Sequence, residues 1–442
     1  MTISKRRLLW LIFVCALSVH PTAEAVRRFF YYSDVIYAVA DAAFLIFAVT
    51  AYWIAKPRIS IAPLLLLSIY VIWGMLCLLI NSGSPMLIVV GLRPLLLAAG
   101  AYIVAASFFS LADTPFRTLI HVVAFWTAIV LLVGWLQIYL GVGAIVNKLP
   151  VAAGVEGGGR GDYVASGQML AGLFRPTSIF MSTGRLGQFA FMNTLLLMTT
   201  LLLATRRRIS SLWPTAIGIA LVMLSGQRAA FLFLLISFLI LLIRSGNLKM
   251  LLKIALIFIL FMPFIMLLND SIVKLVLLRF ASVFGSIGNR LTENMSGALI
   301  SVKQFLLFGK GIGFFTFGSL PFGGHIYYEY MARYGGGGEN SWLRIQGETG
   351  LPGMLVFAVL MWWIATRSFA RFRVSRFEEG RALHFVAGYS VIALAAWSFT
   401  ADVYGNYLML MQLFLFFGAS SGYWAREARS ASSLGEKSVS AR

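Results

Sequence analysis

The sequence predicts an all-α protein that crosses a membrane many times, and three observations carry that prediction. Of its 442 residues, 60% are hydrophobic and 12% are charged, whereas soluble domains contain about 25% charged residues. The mean hydropathy is +0.86, and apolar stretches of about 18 residues or more recur along the chain. Basic residues collect in alternate short connections, as in loops on the cytoplasmic side. The net charge of +20 therefore follows from membrane topology, and no nucleic-acid partner is expected.

The apolar stretches predict about twelve transmembrane helices with both termini in the cytoplasm. We place these spans at 8–24, 35–55, 60–80, 85–109, 118–141, 186–204, 210–225, 229–243, 250–268, 346–366, 384–402 and 405–424. Residues 5–25 also fit a signal peptide, because a basic start and an apolar segment lead to AEA at 23–25. With either interpretation the chain reaches the outer side near residue 25.

We predict one membrane domain over residues 1–424, followed by a polar cytoplasmic tail over 425–442 that is Ser-rich and disordered from Arg426 onwards. Two outer loops are long, at about 142–185 and about 269–345.

Within the second loop, residues 271–284 and 290–308 have apolar side chains three and four positions apart, with Lys or Arg between them. This spacing predicts amphipathic helices on the membrane or on the helix bundle. A glycine-rich stretch, GKGIG at 309–313, then predicts a turn. It is not a P-loop, because no Gly-Lys-Ser/Thr follows at the required spacing. The two cysteines, Cys15 and Cys77, lie within apolar stretches. We expect neither a metal nor another cofactor.

Five arginines stand on the predicted outer side, where the positive-inside rule disfavours them. They are Arg93, Arg175, Arg185, Arg228 and Arg290. A guanidinium group stays charged and binds phosphate through two parallel hydrogen bonds. The group therefore predicts a polyanionic ligand, although interfacial anchoring or ion pairing would account for any single member.

The stretch GGGGENSWLRIQGETGLPG, at 335–353, brings polar residues to the start of a predicted span. Asn340 or Ser341 can cap the helix, and Arg344 with Glu348 forms an i, i+4 pair. Those structural roles do not extend to Glu339, which is a candidate general base. His325 is the next candidate, and a structural role for this loop histidine stays open.

Three segments in this order resemble the O-antigen polymerase and O-antigen ligase superfamily of bacterial surface polysaccharide assembly. They are LSGQRAAFLFLL at 224–235, RLTENMSGALISVKQFLLFGKGIGFF at 290–315 and ENSWLRIQGETGLPG at 339–353, with a weaker fourth, FRPTSIF, at 174–180. The resemblance covers roughly residues 170–370. Ligases of the family have a histidine where this chain has Glu339, and this departure favours a polymerase.

The resemblance implies a metal-independent, inverting glycosyltransferase of the bacterial inner membrane, with its long loops in the periplasm. Its donor is a glycan on undecaprenyl diphosphate, and its acceptor is a sugar hydroxyl of a second lipid-linked unit. The catalytic residues implied are Glu339 as base and Arg228 and Arg290 on the diphosphate. The substrate-binding residues implied are Arg175, Arg185, Asn340, Arg93 and His325.

The implied partners are the lipid-linked glycan, membrane lipids, a flippase and a chain-length regulator. Ligation of the glycan to lipid A core or to another acceptor uses the same donor chemistry and is an alternative. A transporter of lipid-linked oligosaccharide is an alternative of another class. It predicts buried polar residues along a path through the second to fifth spans.

Overall fold

Helices make up almost all of the chain that the structure describes. The structure is a computed structural model that describes residues 3–30, 34–57, 59–141, 169–170, 173–174, 176–180, 182–203, 212–245, 283–325, 327–333 and 340–440. The first eight helices are α1 (Ile3–Phe29), α2 (Asp34–Ala55), α3 (Ala62–Ile80), α4 (Pro85–Leu111), α5 (Pro115–Leu140), α6 (Thr183–Leu203), α7 (Leu212–Ser225) and α8 (Arg228–Ser245). The remaining five are α9 (Val283–Gln304), α10 (Tyr327–Ala332), α11 (Ser341–Val374), α12 (Glu378–Trp397) and α13 (Tyr407–Ser440). Two two-residue strands, β1 (Met169–Leu170) and β2 (Leu173–Phe174), pair antiparallel, and a 3-10 helix covers Phe317–Phe322.

Eight of the described helices are long and apolar enough to cross a membrane, so the chain is a multi-pass membrane protein. These eight are α1 to α6, α11 and the part of α13 up to Ser430. The predicted spans at 210–225 and 229–243 correspond to α7 and α8, which are apolar but shorter. The span at 384–402 overlaps α12, which is not among the eight, and the span at 250–268 lies outside the described residues. The total of twelve spans and the orientation stay predictions.

The chain divides into two compact units, each assembled from separate segments. The first unit contains α1, α2 and α5 to α8, and the second contains α3, α4, α9 to α11, α13 and most of α12. The single membrane domain over 1–424 and the tail boundary at 425 stay predictions.

Helix α6 is the centre of the first unit. Every residue from Leu186 to Leu202 is buried, as expected of a helix that is apolar on all sides. Helices α7 and α8 pack against it, and α1 packs against α2 and α5. Glycine makes the approach of α8 close, since a Cβ at Gly187 would lie 2.0 Å from Cγ of Gln227.

Helix α1 is an integral part of this first unit. It buries Leu9, Phe13 and Ala16 and continues without a break past the AEA sequence to Phe29. Removal of residues 1–25 would take these side chains out of the core. The fold therefore favours a retained first span over a cleaved signal peptide.

In the second unit, α11 packs against α3 and α13 and is bent near its start. Gly350 has φ +69° and ψ −178°, which interrupts the helix two residues before Pro352. A left-handed φ favours glycine, and a Cβ at Gly350 would lie 2.3 Å from the carbonyl oxygen of Leu307. The bend therefore depends on a glycine at this position.

Helix α13 corrects the prediction that the chain is disordered from Arg426 onwards. The helix continues to Ser440. Glu427 accepts a hydrogen bond from Ser375 at 2.8 Å, and Nη2 of Arg429 donates to the carbonyl of Ser110 at 2.6 Å. These contacts to distant parts of the unit fix the early part of a segment whose composition alone suggests disorder.

Helix α9 carries the amphipathic pattern predicted over 290–308, and the structure shows which side faces inward. Asn294 and Ser301 are buried, and Ala298 and Ile300 pack against a core cluster of the unit that includes Phe315 and Leu343. Met295, Leu299 and Val302 are exposed on the other side, which suits contact with lipid. The other predicted amphipathic helix, 271–284, lies almost entirely outside the described residues.

Candidate functional site

Three charged side chains meet at the start of α11 in the second unit, and we call them the α11 charge cluster. Arg344 and Glu348 belong to α11, and Asp402 belongs to the loop after α12. Nη1 of Arg344 lies 3.2 Å from Oε2 of Glu348, and its Nε lies 3.0 Å from Oδ1 of Asp402. Arg344 and Glu348 are both buried. One guanidinium thus bridges two carboxylates, and the sequence predicted the first of these contacts but not the second.

Asp402 also joins the start of α11 to the loop after α12. Its Oδ1 accepts hydrogen bonds from the Ser341 hydroxyl at 2.9 Å and from the Gly405 N–H at 3.0 Å. The Ser341 oxygen in turn accepts from the N–H groups of Val403 and Tyr404, at 2.6 and 3.0 Å. The loop and the first turn of α11 are therefore held together by polar contacts in a buried environment.

Asn340 caps α11, as predicted. Its Oδ1 accepts from the N–H groups of Trp342 and Leu343, at 2.9 and 3.2 Å, and its backbone is extended. Such a cap satisfies two of the N–H groups that a helix start leaves without partners. The cap and the Asp402 contacts therefore fix the first residues of α11, Asn340 and Ser341.

The predicted turn at 309–313 packs directly against the Glu348 turn of α11. The N–H groups of Lys310 and Gly311 donate to the carbonyls of Gly347 and Glu348, at 2.8 and 2.7 Å. A Cβ at Gly309 would lie 2.2 Å from the carbonyl carbon of Glu348. Glycine is therefore required for this close approach of two backbones.

The residues just after that turn bind the Glu348 carboxylate. Its Oε1 accepts from the Phe315 N–H at 3.1 Å and from the Thr316 hydroxyl at 3.3 Å. Together with Arg344 these donors satisfy both oxygens of Glu348. Both oxygens are thus used in contacts within the protein, which favours a structural role for Glu348.

A small, partly open cavity adjoins the α11 charge cluster. Its volume is about 30 Å³ and its lining residues are Tyr70, Gly91, Pro94, Leu95, Ile312, Thr316, Arg344, Ile345, Glu348, Phe357, Tyr404, Gly405 and Leu410. That volume has room for one or two water molecules and not for a sugar ring. The cavity lies between α4 and the start of α11, because Gly91, Pro94 and Leu95 line it together with Arg344 and Glu348. Arg93 is in this part of α4, and its guanidinium lies 4.3 Å from the centre of the Tyr407 ring.

Tyr404 lies in the loop after α12 and lines this cavity. Burial raises the pKa of the Tyr404 hydroxyl well above its ordinary value, because an ionised phenol would lose its solvation there. The hydroxyl therefore stays protonated at neutral pH. The sequence offered no signal for this burial.

His325 lies in a small aromatic group near the turn. The centre of its ring is 5.5 Å from the ring centres of both Phe314 and Tyr330. The backbone N–H of His325 donates to the Phe314 carbonyl at 2.8 Å. These contacts fit the structural interpretation of His325. Its predicted contact with substrate stays a prediction.

Two arginines of the predicted outer group lie in the first unit. Nη1 of Arg185, at the start of α6, is 3.1 Å from Oε1 of Glu24 in α1. Arg228 opens α8 and directly follows Gln227, the residue that packs against Gly187 of α6. The unit therefore brings the segments that carry Arg185 and Arg228 into contact.

The remaining predicted site residues lie beyond what the structure describes. Glu339 and Arg175 are outside the described residues, and Arg290 lies on α9 with a side chain that is not described. Their roles as base and as diphosphate ligands stay predictions. Within the described part of the chain, no group of three or more His, Cys, Asp or Glu side chains is placed to hold a metal ion.

Sequence reasoning missed two further arginines, Arg27 and Arg28, which the structure buries in the first unit. Their signal was present, since both stand on the predicted outer side of the first span. No protein-family model matches the chain, and a search of curated proteins also found no match.

Proposed function

We propose that this protein is a membrane glycosyltransferase that polymerises a surface polysaccharide from lipid-linked repeat units. The proposal begins from the motifs at 224–235, 290–315 and 339–353 and from the arginines on the predicted outer side. Its donor is a glycan on undecaprenyl diphosphate, and its acceptor is a sugar hydroxyl of a second lipid-linked unit.

The observation that carries the proposal is the contact between two of these motif segments in the second unit. Residues 309–316 and 347–348 share four hydrogen bonds, two between backbones and two to the Glu348 carboxylate. Segments that resemble one family in order, and that also pack around one buried charge cluster, support a common functional site.

The proposed reaction is a single displacement at the anomeric carbon. The acceptor oxygen forms the new bond, the bond to the diphosphate oxygen breaks, and the diphosphate leaves with the electron pair. Glu339 takes the acceptor proton, and arginines of the outer group stabilise the departing charge. One such preorganised donor typically lowers a barrier by about 3 kcal/mol.

The α11 charge cluster has a positioning role in this proposal. Asn340 was predicted to contact substrate, but its Oδ1 is engaged in the helix cap. Asp402 holds Ser341, the next residue. We assign these residues to fixing the start of α11, and the role of Glu339 as general base depends on the sequence alone.

The experiment that tests the function is a deletion strain analysed for lipid-linked and surface glycan. Loss of a polymerase leaves single repeat units on the carrier at the outer face. Full-length chains on the carrier would instead identify a ligase, and repeat units trapped on the inner side would identify a transporter.

A second experiment tests Glu339 itself. Glu339→Gln is expected to abolish polymer while the protein level stays normal. Glu329→Gln is the matched control, because Glu329 is an exposed acid on α10 only ten residues earlier in the chain. Polymer of normal amount from the Glu339 variant would remove this residue from the mechanism and leave His325 as the next base to test.

The transporter alternative predicts polar groups along a path through α2 to α5. The buried hydroxyls of Ser110, Thr118 and Thr127 donate instead to carbonyls within their own helix or its cap, at 2.9, 3.3 and 2.6 Å. Hydroxyls engaged in this way are typical of hydroxyl side chains inside helices. These three hydroxyls are therefore used within their helices, whereas the buried Gln137 of α5 bonds to Thr177 and Ser178 outside its helix.

A further inference from the structure

We propose that residues 305–313 form a re-entrant segment that enters the apolar layer of the membrane between α3 and α4, where lipid acyl chains cover its exposed side. This segment connects the end of α9 to the turn at 309–313. The proposal depends on the position of the segment relative to two membrane helices and does not require the proposed polymerase reaction.

The turn at 309–313 contacts α3 well below the end of that helix. Helix α3 ends at Ile80 and α4 begins at Pro85, so these two helix ends lie on the same side of the membrane. The Ile312 N–H donates to the carbonyl of Gly74 at 3.0 Å. Because a helix rises about 1.5 Å per residue, Gly74 lies about 9 Å below the end of α3.

Helix α4 contacts the turn at the same depth. A Cβ at Gly91 would lie 2.6 Å from the backbone nitrogen of Gly313 and 2.7 Å from Cγ1 of Ile312. Gly91 follows Pro85 by one and a half turns or so, which again places the contact about 9 Å below the helix end. Ile312 is 2% exposed, so its side chain is enclosed where α3 and α4 approach the turn.

That depth lies inside the apolar layer of a membrane. Helix α3 has 19 residues and is therefore about 28 Å long, which is close to the thickness of about 30 Å of the layer. The ends of α3 thus lie near the two boundaries of the layer, and the turn lies below one of them. Irregular backbone is tolerated at such a depth only where its polar groups bond to the protein.

The backbone of the turn meets this condition. The N–H groups of Lys310 and Gly311 donate to carbonyls of α11, and that of Ile312 donates to α3. The carbonyl of Gly309 accepts from Nδ2 of Asn81, at the end of α3, at 2.8 Å. The bonds to α3 and α11 therefore replace those that water would make outside the membrane.

The other side of the segment is apolar and exposed. Leu306, Leu307 and Phe308 are 49%, 60% and 45% exposed. The ring of Phe308 stacks on the ring of Trp73 in α3, with centres 5.6 Å apart, and the neighbouring Ile72 is 58% exposed. Since an exposed apolar surface marks contact with a partner or a membrane, continuity with the exposed side of a membrane helix identifies lipid acyl chains as the occupant.

The exposed stripe of α9 leads to the same surface. Met295, Leu299 and Val302 are exposed, and Leu306 continues their spacing of three and four positions. A helix with one apolar and one polar side lies at the boundary of the apolar layer. The proposal therefore places α9 at this boundary and the segment that follows it below the boundary.

Spin labelling measures the depth of the segment. A nitroxide is attached at Leu307→Cys in a variant in which alanine replaces Cys15 and Cys77, and the full-length protein is placed in phosphatidylcholine vesicles. Contact of the label with oxygen reports the apolar layer, and contact with a water-soluble nickel complex reports water. The references are Ile80→Cys at the end of α3 and Glu329→Cys at an exposed position of α10.

We expect the label at Leu307 to lie deeper than the label at Ile80 and to meet the nickel complex several-fold less often than the label at Glu329. A label at Leu307 that is shallower than that at Ile80, or that meets nickel as often as that at Glu329, would overturn the proposal. A label that meets neither reagent would show that protein covers the surface, for example a second copy of the chain, and would overturn the assignment to lipid.

Two further variants keep the test decisive. If the Leu307 variant does not fold, Leu306→Cys places the label on the same exposed surface. Gly91→Ala adds a methyl group where the Gly313 nitrogen leaves no room, so the label is expected to move towards water. Gly184→Ala is the matched control, since its nearest neighbour would be 3.9 Å away. An unchanged depth in the Gly91 variant would overturn the insertion of the segment between α3 and α4.

Discussion

The two units each hold charged side chains in contact, and the two groups differ in their exposure to solvent. In the second unit one guanidinium, Arg344, contacts two carboxylates, Glu348 and Asp402, and its side chain is 9% exposed. In the first unit the buried carboxylate of Glu24 contacts Arg185, whose side chain is 29% exposed. Both groups lie at helix ends, so the difference is in the exposure of the cation and not in the place within a helix.

The contrast indicates two different uses of buried charge. The carboxylates of the α11 charge cluster accept hydrogen bonds from Arg344, from backbone N–H groups and from hydroxyls, which leaves a rigid and satisfied network. Such a network positions neighbouring residues. The Glu24–Arg185 contact has one side chain partly exposed to solvent, and water weakens such an ion pair.

The largest effect is expected when Arg344 is removed. Arg344→Ala leaves the buried carboxylate of Glu348 and the partly buried carboxylate of Asp402 without their cation. Breaking a buried pair typically costs about 3–5 kcal/mol. Arg185→Ala should cost clearly less, because that ion pair is partly exposed to solvent. Thermal unfolding of both variants in detergent measures the difference. Equal losses of stability would mean that the two groups of charges contribute equally to the stability of the fold.

A smaller loss of stability is expected from Gly309→Ala, which adds a methyl group between two backbones. Gly309→Ala puts a Cβ 2.2 Å from the carbonyl carbon of Glu348, and overpacking of this kind costs about 1–3 kcal/mol. Gly184→Ala in the first unit is the control, since its nearest neighbour would be 3.9 Å away. The Gly309 variant should unfold at a lower temperature and make less polymer. A variant with the wild-type unfolding temperature and amount of polymer would show that the turn is not needed for the site.

The second unit should also lose stability at high pH because it buries a phenol. Burial raises the pKa of Tyr327 to about 12, whereas an exposed tyrosine has a pKa of about 10. Above about pH 10 the unfolded chain releases this proton and the folded chain keeps it. Stability is therefore intact below pH 10 and falls at higher pH by up to about 1.4 kcal/mol per unit.

Tyr327→Phe tests this expectation, because the variant lacks the ionisable group. Unfolding temperatures of the variant and the wild type are compared at about pH 9 and about pH 11. The unfolding temperature of the variant should fall less than that of the wild type on going to the higher pH. An equal fall would show that Tyr327 ionises equally in the folded and the unfolded state.

The smallest effect is expected at the other end of α1. Arg6 and Asp113 form an ion pair with side chains 45% and 68% exposed, and such pairs contribute about 0–1 kcal/mol. Arg6→Gln should therefore shift the unfolding temperature very little. A large shift would contradict the view that burial decides how much these ion pairs contribute to stability.

Several features of the site could be predicted from neighbouring residues in the sequence. The cap at Asn340, the Arg344–Glu348 pair and the turn at 309–313 were all predicted, and the structure contains each of them. Each depends on contacts within a few residues of one another. The order of α13 beyond Arg426 was predicted wrongly, because the contacts that hold it come from distant segments.

The sequence by itself determined that this protein is helical and lies in a membrane, because hydropathy and helix length are properties of continuous stretches. It also placed charged residues at particular helix ends. Only the tertiary structure decided which charges meet: Arg344 joins Asp402 across 58 positions, and Arg185 joins Glu24 across 161. The physical reason is that a buried ion pair forms where packing brings side chains together and excludes water, and no local pattern encodes that meeting.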